Sequence, residues 1–306
     1  MKKKPMKAIA LTMMSALAIA IVFTASCTKP KDGADGPAGP AGTNGTNGTN
    51  GTNGTVVDPA DQASYTAADG LIGGRLYDHF VEQLPTITDT GITKHMDFFR
   101  CKQCHGWDLR GSNGAYINRA PSATRPAVAD NDLYVYAQTH NIKQIFDAVK
   151  HTGGRNKMGS SNERSYNASM PDYGLILTDA EIWNLTKFLK AEALNTFKLY
   201  DIATTGVYPT GTKAFSNIGQ NGNATTGKAT FASACASCHG ADGTQIALDG
   251  GVMYIGDFTR KNPPEFQHKA RCGQPATGMG PFSTITESAV KDLLKAGQSA
   301  TDFPGF

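Results

Sequence analysis

The chain has 306 residues, 40% of them hydrophobic and 18% charged, a composition that suits a globular protein of about two domains. Its formal net charge of +3 is set at the N-terminus: Lys2, Lys3, Lys4 and Lys7 are the only charged residues in 1–27, and without them Lys+Arg falls from 29 to 25 against 26 Asp+Glu. A remainder this close to neutral has no basic footprint, which excludes nucleic acid as an expected partner.

Residues 1–27 read as a secretory signal, a lysine-rich start followed by an apolar run from Ala8 to Phe23 that is short for a membrane span of about 20 residues. The run ends in Thr24-Ala25-Ser26-Cys27. This resembles a bacterial lipobox, which implies lipidation of Cys27 and, with Thr28 next, an outer-membrane anchor; plain cleavage and secretion is the alternative. Residues 28–63 follow as a stalk in which glycine recurs at every third position from Gly33 to Gly54. That is the collagen period, but only the early triplets carry proline, so the expectation is a disordered, solvated Gly-rich linker. About 35 residues of flexible coil span ~30–35 Å.

The first folded domain is expected over 64–199. Leu71, Ile72, Leu76, Tyr77, Phe80, Val81 and Leu84 form a helical stripe within 67–84. Gly70, Gly73 and Gly74 weaken the helix but permit close approach of a second one. Next comes Cys101-Lys102-Gln103-Cys104-His105, a C-x-x-C-H string of the kind that attaches c-type haem. Two cysteines three apart reach the two vinyl groups of one porphyrin, and the following histidine supplies the proximal imidazole. A helical stretch is predicted from Leu133 to Val149. Another follows the capping box Thr178-Asp179-Ala180-Glu181, with Trp183 and Leu185 read as core.

Residues 200–225, rich in Gly, Thr, Asn and Pro, read as a linker. The second domain is expected over 226–306. It carries Cys235-Ala236-Ser237-Cys238-His239 and ends in a helix near Glu287–Ala296 after Thr284-Ile285-Thr286-Glu287. The two C-x-x-C pairs are more than a hundred residues apart, too far for the usual zinc ribbon, and no strand–helix alternation suggests a thioredoxin-like pair. Both motifs are followed by glycine. Two covalently bound haem c groups are the reading.

Phe231 to Gly240, and Met170-Pro171-Asp172-Tyr173-Gly174 followed by Leu177 to Ile182, resemble the haem-binding segment and the distal-ligand loop with its C-terminal helix in class I cytochromes c. The whole is similar to bacterial di-haem c-type cytochromes. The resemblance covers about 65–300 and implies a mostly α fold: two tandem cytochrome c-like helical domains, each around a haem c. It also implies His105 and His239 as proximal ligands and Met170 as the sixth ligand of the first haem, with Met158 and His151 as competitors. For the second haem the candidates are Met279 and His268; Gly280, rather than proline, follows Met279. Cys272 remains over, as a buried thiol, a thiolate ligand or an inter-chain pair. Arg260, Lys261, Lys269 and Arg271 read either as a solvated face or as partners of haem propionates or of an acidic protein.

Two six-coordinate haems leave no open position, so the expected function is one-electron transfer between redox partners, other cytochromes or a respiratory oxidoreductase, at the cell envelope or surface. The lipid anchor would face the periplasm or the exterior. The alternative is a di-haem oxidoreductase, a peroxidase or an enzyme of sulfur compounds, whose second haem has a labile sixth position. A third reading is a surface protein trimerised by the collagen-like segment, with haem as passenger.

Overall fold

The computed structural model describes residues 57–122, 125, 127–152 and 170–306. The signal, Cys27, the Gly-x-y stretch up to Gly54 and Met158 lie outside the described residues.

The folded body starts with α1 (Pro59–Ala67), ahead of the expected start at 64, capped by Asp58 and opened by proline at the first helical position. Helix α2 (Gly70–Gln83) is capped by Asp69, whose carboxylate accepts from the Leu71 and Ile72 amides. Of the predicted apolar stripe Leu76, Tyr77 and Phe80 are fully buried, each of which stabilises the fold by about 1.5–3 kcal/mol; Leu71, Ile72 and Leu84 are half-buried, and Arg75, Asp78 and His79 are buried too, so the helix is enclosed on more than one face. Three short helices follow, α3 (Thr90–Thr93), α4 (Met96–Phe99) and α5 (Cys101–His105). The stretch predicted from Leu133 divides at His140 into α6 (Leu133–Thr139) and α7 (Ile142–Lys150). Helix α8 (Asp179–Lys187) has the Thr178–Glu181 capping box in place, and a π turn, Phe188–Glu192, extends it. Trp183 is core and stacks on Phe146 with ring centroids 4.2 Å apart.

Residues 200–225 contain more than a linker. Strands β1 (Asp201–Thr205) and β2 (Thr212–Ser216) pair antiparallel, Asp201 opposite Ser216. Ile202 lies opposite Phe215, and both pack on the second hydrophobic core. The second helical set is α9 (Ala224–Ala234), α10 (Ala236–His239), α11 (Ile255–Lys261), α12 (Pro263–Cys272) and α13 (Glu287–Ala296).

The two halves share one packing device. Helix α2 crosses α8, and α9 crosses α13. At Gly73 an added Cβ would lie 1.9 Å from the Asn184 carbonyl oxygen, and at Gly227 it would lie 2.0 Å from that of Asp292. Only glycine allows either pair of backbones to meet so closely. Each crossing helix pair closes its own hydrophobic core, one centred on Leu76, Phe80 and Ile182, the other on Phe231, Val290 and Leu294.

Residues 54–306 nevertheless form one compact unit. Helix α12, in the second half by sequence, packs on α2 of the first, and its Cys272 belongs to the first core. Between them lies Asp78, fully buried, paired with Arg100 at 2.7 Å and with Lys269. Burial opposes ionisation of Asp78, but Lys269, His268 and Arg100 outweigh it and hold the carboxyl below its ordinary range. No helix among the described residues is long and apolar enough to cross a membrane.

Candidate metal and cofactor sites

In α5 a single helical turn puts Cys101, Cys104 and His105 on one side, since residues three and four apart are helix neighbours. Gly106 ends the turn at φ +75°, a conformation that favours glycine. The fully buried Tyr77 donates its hydroxyl to the Gly106 carbonyl at 2.6 Å, so α2 fixes the turn. A cavity of about 590 Å³ is lined by Cys101, Cys104 and His105 and, from distant parts of the chain, by Met170, Pro171 and Tyr173. That volume lies within the range of cofactor sites. Arg100, Val128 and Tyr208 also line it, and the Val128 amide donates to the Tyr208 hydroxyl at 3.0 Å.

His151 does not line this cavity. Its Nδ1 lies 2.6 Å from Asp172 Oδ1, a carboxylate on a fully buried side chain. Of the two sixth-ligand candidates among the described residues, Met170 lines the cavity with Cys101, Cys104 and His105 and His151 does not; Met158 is outside the described residues.

The second motif repeats the local geometry. Cys235 precedes the one-turn helix α10, His239 closes it, and Gly240 follows at φ +80°. Cys235 is half-buried, Cys238 exposed and His239 buried. Met279 is half-buried on the loop between α12 and α13. His268 is engaged elsewhere: its Nε2 lies 3.0 Å from the Gly74 carbonyl, and its ring packs against Trp107, Tyr77 and Phe188 of the first half. The physical reason is the docking of α12 on α2, which turns His268 towards the first domain.

Cys272 is a buried thiol, pushed up to about 12 by burial, and packs against Gly74. The four basic residues near it have partners within the chain: Lys269 pairs with Asp78, Arg271 with Glu192, Lys261 with Asp257, and Arg260 donates to the Gly297 and Phe303 carbonyls. Lys269, Arg271 and Arg260 thus tie α12 and α11 to other parts of the chain, while the exposed Lys261 pairs only within its own helix, as expected of a solvated face.

Both motif histidines carry a buried Nδ1 with no hydrogen-bond partner. Burial pushes the His105 imidazole down to about 4 and lowers that of His239. Each is therefore neutral, the form that ligates a metal. Burial also raises the Cys101 thiol to about 12 and the Cys104 and Cys235 thiols to about 11, which disfavours thiolate. Among the described residues no group of three or more His, Cys, Asp or Glu side chains is arranged to hold a metal ion. At the first motif, neutral thiols three apart beside a neutral imidazole and a cavity of this size fit haem c.

Sequence reasoning missed Arg100, Tyr173 and Tyr208 as cavity residues. Tyr173 stands within the Met-Pro-Asp-Tyr run that pointed to Met170. Tyr208 sits in the stretch taken for a linker and has no signal of its own.

Paired helix crossings closed by glycine, each with a C-x-x-C-H turn beside it, define a c-type cytochrome of two domains. Two family models match accordingly: Cytochrome c over residues 94–192, and Cytochrome C oxidase, cbb3-type, subunit III, over residues 222–295. The chain is a tandem class I c-type cytochrome with a haem-based electron-transfer function, for which redox proteins are the partners. No curated protein and no solved structure matches it.

Proposed function

We propose that this cytochrome carries two covalently bound haem c groups, both six-coordinate, and passes single electrons between redox proteins at the cell envelope. Cys101 and Cys104 would hold the first haem, with His105 and Met170 as the side chains that would ligate its iron. Cys235 and Cys238 would hold the second, with His239 and Met279. Haem c supplies the one-electron chemistry. The chain holds and orients it, keeps both proximal imidazoles neutral and brings methionine sulfur, a soft neutral ligand that favours the reduced state, to the distal side.

The observation that carries the reading is the cavity at which Cys101, Cys104 and His105 of α5 meet Met170 from a distant part of the chain. The exposed Cys238 supports an accessible edge at the second haem. The lipobox-like Ala25-Ser26-Cys27 supports an outer-membrane anchor, with the stalk as spacer; Cys27→Ala then releases the protein from the membrane fraction. Met170→Ala and Met279→Ala, each made singly, should each let one reduced haem bind carbon monoxide. Neither variant gaining carbon monoxide binding would remove both ligand assignments.

A further inference from the structure

The loop that carries Met279 is held from outside its own domain. Arg75, on α2 of the first domain and only 8% exposed, donates from Nη1 to the Met279 carbonyl at 2.9 Å and to the Cys272 carbonyl at 3.4 Å. Its Nε donates to Gln83 Oε1 at 2.6 Å, which fixes the plane of the guanidinium. A hydrogen bond from a charged donor is roughly twice as strong as one between neutral groups.

Within the loop the Met279 carbonyl also accepts from the Gln274 amide at 2.9 Å, and the Met279 amide donates to Thr277 Oγ1 at 3.1 Å. These bonds close a short turn, and α12 holds its two flanks: the Phe282 amide donates to the Arg271 carbonyl at 2.8 Å, and Lys269 donates to Gln274 Oε1. Gly278 and Gly280, on either side of Met279, have nothing packed within 4 Å of where a Cβ would stand. The turn also sits tightly on Gly273, where an added Cβ would lie 2.3 Å from the Met279 oxygen. Besides the Thr277 hydroxyl within the turn, Arg75 is the side chain that bonds the Met279 backbone, and it reaches it from the first domain.

We propose that Arg75 is a positioning residue for the second haem, fixing from the first domain the loop that presents Met279 to iron. The inference rests on the reading of Met279 as that haem's sixth ligand. It makes the second domain's distal side dependent on the first, so that the docking of α12 on α2 sets how firmly the second haem is closed.

The test uses the full-length di-haem protein with Arg75→Ala, Arg75→Lys and Gln83→Ala. In the reduced protein each methionine bound to haem gives a ring-current-shifted methyl resonance in the proton NMR spectrum, assigned here through Met170→Ala and Met279→Ala. In the ferric protein added imidazole displaces the methionine at a measurable rate. Arg75→Ala should shift or broaden the Met279 methyl alone. It should speed imidazole entry at the second haem by about 10-fold or more, the scale of a buried charge-assisted hydrogen bond. Arg75→Lys should recover part of that loss, and Gln83→Ala should give a smaller change of the same sign.

Wild-type exchange at the second haem in Arg75→Ala, with Met279→Ala still abolishing its resonance, overturns the positioning role and leaves the ligand assignment standing. Equal loosening of both haems in Arg75→Ala also overturns it, because that is the mark of a general packing defect. A Met279→Ala variant that keeps both resonances removes the ligand assignment, and the inference with it. If Arg75→Ala does not fold, wild-type exchange in both Arg75→Lys and Gln83→Ala overturns the proposal.

Discussion

Asp78→Asn is the substitution that most directly probes how the two domains are joined. The carboxylate is fully buried, while its partners Arg100 and Lys269 expose 16% and 12% of their side chains. Removing one member of a buried ion pair typically costs about 3–5 kcal/mol, because the remaining charge stays desolvated. Asparagine keeps one acceptor oxygen for Arg100 or Lys269, so the lower end, about 3 kcal/mol, is the expectation. With roughly 2–4 °C per kcal/mol for a unit of this size, thermal unfolding followed by far-ultraviolet circular dichroism at pH 7 should fall by about 6–12 °C.

The pH dependence has a fixed sign. The folded-state pKa of Asp78 is depressed, so its contribution is full above the unfolded value near 4 and is lost as pH falls through the folded value. The gap between wild type and Asp78→Asn should therefore narrow below about pH 4. Because Lys269 belongs to the second domain and Arg100 to the first, Asp78→Asn and Lys269→Met should be non-additive by about 0.5–3 kcal/mol. A change in the unfolding midpoint below about 2 °C at pH 7, or a gap unchanged at acid pH, would refute the argument that this carboxylate joins the domains as an ion.

Three further outcomes follow from particular contacts. Gly227→Val should destabilise the α9–α13 crossing by about 1–3 kcal/mol, read as a lower unfolding midpoint with the second haem's spectrum perturbed before the first; an unchanged midpoint would mean the crossing is looser than the 2.0 Å approach implies. Tyr77→Phe leaves the Gly106 carbonyl without its 2.6 Å donor and should cost about 1–3 kcal/mol, measured by denaturant unfolding. Tyr208→Phe removes the acceptor of the Val128 amide at the cavity wall and should raise hydrogen exchange at Val128 while leaving α13 as protected as before.

Much of this architecture was readable from local patterns. The capping box at Thr178, the apolar stripe of α2 and the glycines within it are short-range signals, and each appears in the structure where the pattern put it. The C-x-x-C-H strings are equally local, since one helical turn contains all the atoms that matter. What was not legible depends on partners far away in sequence. Residues 200–225 look like a linker because Thr, Gly and Asn dominate, yet Ile202 and Phe215 pair across a hairpin that rests on the second core. Helix α12 opens with two prolines and carries buried Gln267 and His268, an unpromising helix by composition. Those polar groups are satisfied by Trp107 and Gly74 of the other domain, which no local pattern records. The same docking explains why His268, Lys269 and Arg271 serve the interface between domains, and why the role of Arg75 becomes visible only once α2 and the Met279 loop are seen together.

The electron-carrier account is tested most directly by the visible spectrum of the fully reduced wild-type protein before and after carbon monoxide. Two haems closed by Met170 and Met279 predict superimposable spectra. Prompt carbon monoxide binding by one haem of the unmodified protein would contradict the account and point to an oxidoreductase with an open iron site.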